Sequence, residues 1–135
     1  MSDATLHRLP LRVYYEDTDM GGIVYYANYL KYIERARSEL VEAMGLDQKR
    51  MKDEDGIVFV VRRVEADYLA PARLDDRLEV VTRHYPKGQS RWMFEQEVHR
   101  DGRAIFSALV TAVCMTVEGR PARLPAVLRD RLGPG

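Results

Sequence analysis

One stretch of this chain limits its fold more than any other. From Tyr26 to Met44 the apolar residues fall at helical spacing: Tyr26, Tyr29, Leu30, Ile33, Ala36, Leu40, Val41 and Met44. Lys31, Glu34, Arg35, Ser38, Glu39 and Glu42 occupy the other side. At roughly 3.6 residues per turn, this predicts an amphipathic helix of about five turns with one stripe to bury. Gly45 follows where a helix favours a left-handed residue. No later segment is as long and as clearly helical, so the opposing surface must come from other elements.

Those elements alternate with period two. Leu11–Tyr15, after Pro10, reads as a strand. Ile57–Leu69 is a second, with Val58, Val60, Val64, Ala66 and Tyr68 on one face and Arg63, Glu65 and Asp67 on the other. Arg77–Tyr85 is a third. Ser90–Arg100 carries Trp92, Phe94, Gln96 and Val98 on one side. Asp101-Gly102 is a two-residue hairpin signal. Arg103–Val117 then keeps Ala104, Phe106, Ala108, Val110, Ala112 and Cys114 in phase. A short helix fits Pro125–Leu132, and Gly133-Pro134-Gly135 should fray. The order predicts an α+β fold, one long helix lying on an antiparallel sheet, as a single domain over residues 1–135.

Composition narrows the classes of function. The 21 Lys and Arg balance 21 Asp and Glu among 135 residues, which argues against an electrostatic nucleic-acid binder. The lone Cys114 excludes an internal disulfide and a multi-cysteine metal cage, and points to a reducing compartment. The longest strictly apolar run, Ile57 to Val61, is far short of the ~20 residues of a membrane span. The start lacks a cationic region followed by an apolar stretch, so a cytoplasmic protein is expected.

Between the first strand and the helix lies Glu16-Asp17-Thr18-Asp19-Met20-Gly21-Gly22, a loop by its acids and its glycine pair. The stretch RVYYEDTDMGGIVYYANYLKYIERAR, Arg12 to Arg37, strongly resembles the hotdog-fold thioesterases of the 4-hydroxybenzoyl-CoA thioesterase family. Within them it is most similar to the acyl-CoA thioesterases associated with the Tol–Pal envelope system. The resemblance continues through Phe59-Val60-Val61-Arg62 and Tyr68-Leu69-Ala70-Pro71-Ala72-Arg73-Leu74-Asp75-Asp76, and reaches Gly88 and the closing strand. It implies a hotdog fold, an antiparallel sheet wrapped around one long helix and usually paired edge to edge in a homodimer or homotetramer. It also implies an acyl-CoA substrate, or an acyl carrier protein in place of CoA, with no cofactor.

Thioester hydrolysis needs a polarised carbonyl and an attacking group. A thiol ionises near roughly pH 8.5, so the thiolate leaves without obligatory protonation. One carboxylate plus oriented N–H donors is therefore the minimum set. Here the Gly21-Gly22 turn lets backbone approach a ligand, and the helix beginning near Val24–Tyr26 points unpaired N–H groups towards the loop. Those donors can stabilise negative charge on the thioester oxygen. The resemblance makes Asp19 the catalytic carboxylate, as nucleophile or as base to a water, and gives the backbone N–H of Tyr26 the contact to the carbonyl. Gly22, Val24, Asn28, Tyr29 and Arg62 complete the expected substrate contacts. Many Tol–Pal-type members carry His where this chain has Tyr26, whereas the 4-hydroxybenzoyl-CoA enzyme carries Tyr. Both aliphatic and aromatic acyl groups therefore stay open.

Other readings weigh against each residue. Asp17 is the natural loop-former and Glu16 a solvated charge. Tyr29 sits on the buried stripe, and Tyr26 and Tyr32 fit core or subunit contacts as well. Glu34 and Arg37, three apart, suit a pair within the helix or across a dimer. Arg62, Arg63, Arg91 and Lys87 are candidate phosphate partners, Arg62 foremost, against the alternative of surface solubility. His7, His84 and His99 show no metal spacing, so no metal is expected. A hotdog hydratase, which needs a catalytic His with an acid, finds no such arrangement here. A non-catalytic acyl-thioester or protein-binding module would need the same pocket.

Overall fold

The computed structural model describes residues 6–126 and 128–129. Strand β1 spans His7–Arg12 and leads through a single 3-10 turn at Tyr15–Asp17 into the glycine loop. Helix α1 covers Asn28–Ala43, and a short helix α2 at Gln48–Arg50 widens into one turn over Met51–Asp55. Strands β2 (Ile57–Tyr68), β3 (Arg77–Lys87), β4 (Arg91–Arg100) and β5 (Arg103–Thr116) follow. All pairings are antiparallel, in the order β1-β3-β4-β5-β2. Consecutive hairpins build the middle of the sheet, while β1 and β2 take the two edges.

The sheet closes on α1. Tyr29, Tyr32, Ile33, Ala36, Leu40 and Val41 of the helix are buried against Leu78, Val80, Trp92, Phe94, Phe106 and Val110 of the strands. Each buried aliphatic or aromatic side chain is worth about 1.5–3 kcal/mol, so this single seam dominates the stability of the chain. Gln96 sits in it with 1% exposure. Its amide nitrogen donates to Ile33 O at 2.9 Å and to Thr82 Oγ1 at 3.0 Å, and its oxygen accepts from Arg37 Nη1 at 2.9 Å. A buried amide left without partners would cost about 1–3 kcal/mol; here it ties helix to sheet instead. Arg37 therefore pairs with Gln96 and makes no ion pair with Glu34 among the described residues.

Several expected boundaries shift. The first strand lies earlier than Leu11–Tyr15, because its partners on β3 run from His7↔Thr82 to Arg12↔Arg77, after which Val13 turns into the core. The helix starts two residues after Tyr26. Tyr26 and Leu30 leave the buried stripe, exposed at 61% and 39%, and Tyr32 takes a place in it. The helical turn at 48–55 had no counterpart in the sequence reading. The Asp101-Gly102 turn has positive φ at both residues, 53° and 78°, as a two-residue hairpin requires. At the C-terminal end Ala126, Leu128 and Arg129 are helical, while the rest of the expected Pro125–Leu132 helix and the glycine-rich end lie outside the described residues.

The face assignment of β2 is corrected. Val61 pairs with Ala112 and Arg63 with Thr111, so Arg62 is an extra residue in a β-bulge. Directly paired residues share a sheet face. Phe59 and Val61, opposite Cys114 and Ala112, therefore face the helix together with Val64, Ala66 and Tyr68. Val58 and Val60, which plain alternation grouped with them, point the other way.

Candidate active site

The loop before α1 is built by its own polar side chains. Asp17 Oδ2 accepts from the N–H of Tyr14 at 2.9 Å, and Thr18 Oγ1 donates to Tyr15 O at 2.7 Å. The Asp17 carbonyl accepts from Tyr25 N–H at 2.9 Å and from Asn28 Nδ2 at 2.8 Å. Asp17 is thus the loop-former, and Asn28 is the brace that joins loop to helix. The buried Tyr32 phenol lies beside Asp17 without a formed hydrogen bond; burial first, and the Asp17 carboxylate second, hold it well above its ordinary pKa.

Asp19 occupies the tip. Its N–H donates to Ile23 O at 2.9 Å, and its carbonyl accepts from Gly22 N–H at 3.0 Å. One carboxylate oxygen, Oδ1, accepts from Gly21 N–H at 2.8 Å. The other has no partner among the described residues, and the side chain is exposed. A Cβ on Gly21 would lie 3.2 Å from Oδ1, so glycine is what allows the carboxylate to fold back on its own turn. Gly22 carries a φ of +75°, which only glycine adopts without strain. The loop lines an open hollow with Tyr15, Thr18, Asp19, Met20, Gly22 and Leu74.

Beside it the helix begins without a cap. Ala27 takes the flanking position with helical dihedrals, no side chain caps it, and no acid stands in the first turn. The N–H groups of Tyr26 and Ala27 donate no hydrogen bond among the described residues. Two backbone donors at the positive end of a 16-residue helix are thus left without a partner among the described residues, at the close of the loop whose tip is Asp19. Such donors are what an oxygen gaining negative charge requires. The Tyr25 and Tyr26 rings lie 4.9 Å apart. The neighbouring Tyr26 phenol first, with a smaller contribution from the Asp19 charge, raises the pKa of Tyr25, which stays a protonated phenol.

The remaining expected residues divide. Val24 is 3% exposed, and its N–H donates to Ala72 O at 2.8 Å, so it anchors the loop rather than lining the hollow. Tyr29 is likewise buried, stacked 5.0 Å from Phe106, with its hydroxyl accepting from Ala72 N–H at 3.1 Å. Arg62 is exposed at the β2 bulge. Six residues separate it from Tyr68, whose ring lies against Tyr26, so it stands roughly 20 Å along the strand from the helix entrance. Arg63 pairs with Glu65 at 3.2 Å. Trp92 Nε1 donates to His84 Nδ1 at 3.1 Å, and burial lowers the pKa of that His, which marks it as a core acceptor. Among the described residues no three His, Cys, Asp or Glu side chains are placed to hold a metal ion. No described helix is long and apolar enough to cross a membrane.

Sequence reasoning assigned no role to Tyr68. Its hydroxyl donates to the Tyr26 carbonyl at 3.1 Å from the end of β2. The signal was present in the Tyr68-Leu69-Ala70-Pro71 block, but only the fold shows that it touches the helix entrance. A second hollow, about 320 Å³, opens between α1 and β2 and is lined by Arg37, Phe59, Val61, Trp92, Phe94 and Ala112.

The profile of the Thioesterase-like superfamily matches residues 13–132. This chain belongs to that superfamily. It is 40% identical over 125 residues to the acyl-CoA thioester hydrolase YbgC of Escherichia coli O6:H1, covering 91% of this chain and 92% of that protein. It is 38% identical over 117 residues to the acyl-CoA thioesterase YbgC of Haemophilus influenzae, covering 86% of each. The crystal structure of a probable thioesterase from Bartonella henselae superposes with a TM-score of 0.83 at 34% identity, covering 89% of this chain and 99% of that one. The α+β arrangement is therefore the hotdog fold of thioesterases, and the family places the chain among the thioester hydrolases.

Proposed function

We propose that this chain hydrolyses acyl-CoA thioesters with Asp19 as the reacting carboxylate and the N–H of Tyr26 as a donor to the thioester oxygen. The observation that carries the reading is one juxtaposition along the chain: a carboxylate oxygen at the loop tip and two N–H groups at the helix entrance that follows, all without a partner among the described residues. As a general base, Asp19 takes a proton from water while the hydroxide adds to the carbonyl carbon. As a nucleophile, its own oxygen adds, and water later cleaves the resulting anhydride. Either path places negative charge on the former carbonyl oxygen, where the helix donors stabilise it. Collapse then breaks the C–S bond and releases CoA thiolate, leaving the free acid on the general-base path and the anhydride, which water then cleaves, on the nucleophilic path.

Arg62 suits the phosphate end of CoA, which the pantetheine arm holds away from the thioester. The working unit is a homo-oligomer, because β2 has no strand partner on its outer edge among the described residues and exposes Val60, Val61 and Val64 at 42%, 44% and 39%.

Thiol release from a panel of aliphatic and aromatic acyl-CoAs tests the assignment. Asp19→Asn and Asp19→Ala should each reduce it by about 10²–10⁴-fold. Unchanged release in both would remove Asp19 from the mechanism. In a single turnover in ¹⁸O-water, label in the Asp19 carboxylate marks the covalent path with water adding at the aspartyl carbonyl, whereas attack at the acyl carbonyl labels the acid on either path. Arg62→Ala should raise KM for acyl-CoA and leave the KM for the matching acyl-pantetheine unchanged.

A further inference from the structure

Two successive peptides form the entrance to α1, and they are held in different ways. In the first, the Tyr25 carbonyl accepts from Asn28 N–H at 2.8 Å, and the N–H of the same peptide belongs to Tyr26. In the second, the Tyr26 carbonyl receives Tyr29 N–H only at 3.4 Å, and the peptide's N–H belongs to Ala27. No peptide bond among the described residues is cis, so in each plane N–H points opposite to C=O. Holding the carbonyl therefore aims the N–H behind it. The backbone does this for Tyr26. For Ala27 the helical bond is long, and the shorter contact is the Tyr68 hydroxyl at 3.1 Å, from 42 residues away in sequence.

We infer that Tyr68 is a positioning residue for thioester hydrolysis: its hydroxyl holds the Tyr26–Ala27 peptide so that Ala27 N–H joins Tyr26 N–H as a second donor to the thioester oxygen. This rests on the role proposed above for the helix entrance.

The surroundings fit such a part. The Tyr68 ring is set edge-on to Tyr26, Tyr29 and Phe106, with centroids 6.1, 5.5 and 5.0 Å away, so its hydroxyl has a defined direction. Burial, and then the neighbouring Tyr26, raise its pKa, and the phenol remains a donor. Yet the residue is 48% exposed. Water reaches it, so the hydroxyl has no need of the Tyr26 carbonyl to avoid a stranded donor. Phenylalanine would keep every ring contact and remove only the bond to the peptide.

Tyr68→Phe separates these effects. The expected result is a kcat lowered roughly tenfold, less than the 10²–10³ of an outright donor deletion, with KM within twofold and an unchanged melting temperature. A second readout is the carbonyl stretch of a bound acyl-CoA ketone analogue, in which a methylene replaces the sulfur. Wild-type protein should shift that stretch to lower frequency, and Tyr68→Phe should return part of the shift. An unshifted stretch in the wild type would overturn both the helix-entrance reading and this inference. A shift in the wild type that Tyr68→Phe leaves intact, with kcat unchanged, would overturn the role of Tyr68 alone. If the Phe variant does not fold, difluorotyrosine at position 68 keeps the shape of the ring while lowering its pKa. Its kcat should fall as pH rises through that ionisation, since a phenolate cannot donate. A kcat that ignores the ionisation counts against the inference.

Discussion

The two ends of α1 obey the same backbone chemistry and are finished in opposite ways. At the exit, Gly45 adopts φ +78°. Leu46 N–H reaches back to Val41 O at 3.2 Å and Gly45 N–H to Glu42 O at 2.9 Å, the paired bonds of a Schellman closure. At the entrance Ala27, not a Ser, Thr, Asp or Asn, occupies the capping position, and two N–H groups have no partner among the described residues. A polar cap there would contribute about 1 kcal/mol, which this helix forgoes. The entrance is also exposed, so water serves its donors until a ligand replaces it. Under the proposed function the entrance is kept for a substrate oxygen, while the exit serves stability.

Perturbing the two ends should therefore affect different observables. The largest effect belongs to Asp19→Asn, which should cut turnover by about 10²–10⁴-fold while thermal unfolding stays near that of the wild type. Next comes Tyr26→Pro. Tyr26 is the second residue of the turn closed by Asn28 N–H and Tyr25 O, where proline is well accommodated. The substitution deletes an N–H that bonds to nothing among the described residues. It should cost about 10²-fold in kcat with little loss of stability. Tyr26→Phe, which keeps the N–H, should remain within a few-fold of wild type; a deep loss in Tyr26→Phe would shift the role from backbone to phenol. The smallest change in activity is expected from Gly45→Ala. A methyl group at a left-handed φ costs about 1 kcal/mol, visible as a melting point lower by a few degrees, with kcat untouched. If Gly45→Ala impaired turnover as strongly as Tyr26→Pro, the contrast between the ends would collapse.

The helix itself was legible because a period of 3.6 over so long a stretch has no other explanation, and β4 and β5 were legible because their alternation stays in phase up to the register shift at Val98/His99, where Ile105 is buried beside Phe106. The Asp19 loop was legible through its motif. What stayed hidden depends on contacts between distant segments. Val24 and Tyr29 look like site residues beside Asp19, yet both are buried and held by Ala72, more than forty residues on. Tyr68 shows the reverse: a residue that the sequence places only on a strand face, whose hydroxyl ends at the helix entrance. Arg37 looked like a partner for Glu34 because the two are three apart, but a buried amide on β4 offered a shorter route. Spacing along one element says which side chains share a face and nothing about what the fold brings opposite.

The bulge at Arg62 has an evolutionary reading. Val61↔Ala112 and Arg63↔Thr111 are consecutive rungs, so Arg62 is inserted text in an otherwise regular line. Reading every second residue from Ile57 goes out of frame there, which is how Val58 and Val60 came to be grouped with Val64. Deleting Arg62 would restore the frame: Val61 and Arg63 would become neighbours on opposite faces, and every rung of the ladder would survive. The expected losses are the local bend of an edge strand and a cation proposed to meet CoA, not the fold. A homologous chain one residue shorter at this point is thus compatible with the same sheet, and an alignment should be free to open its gap there.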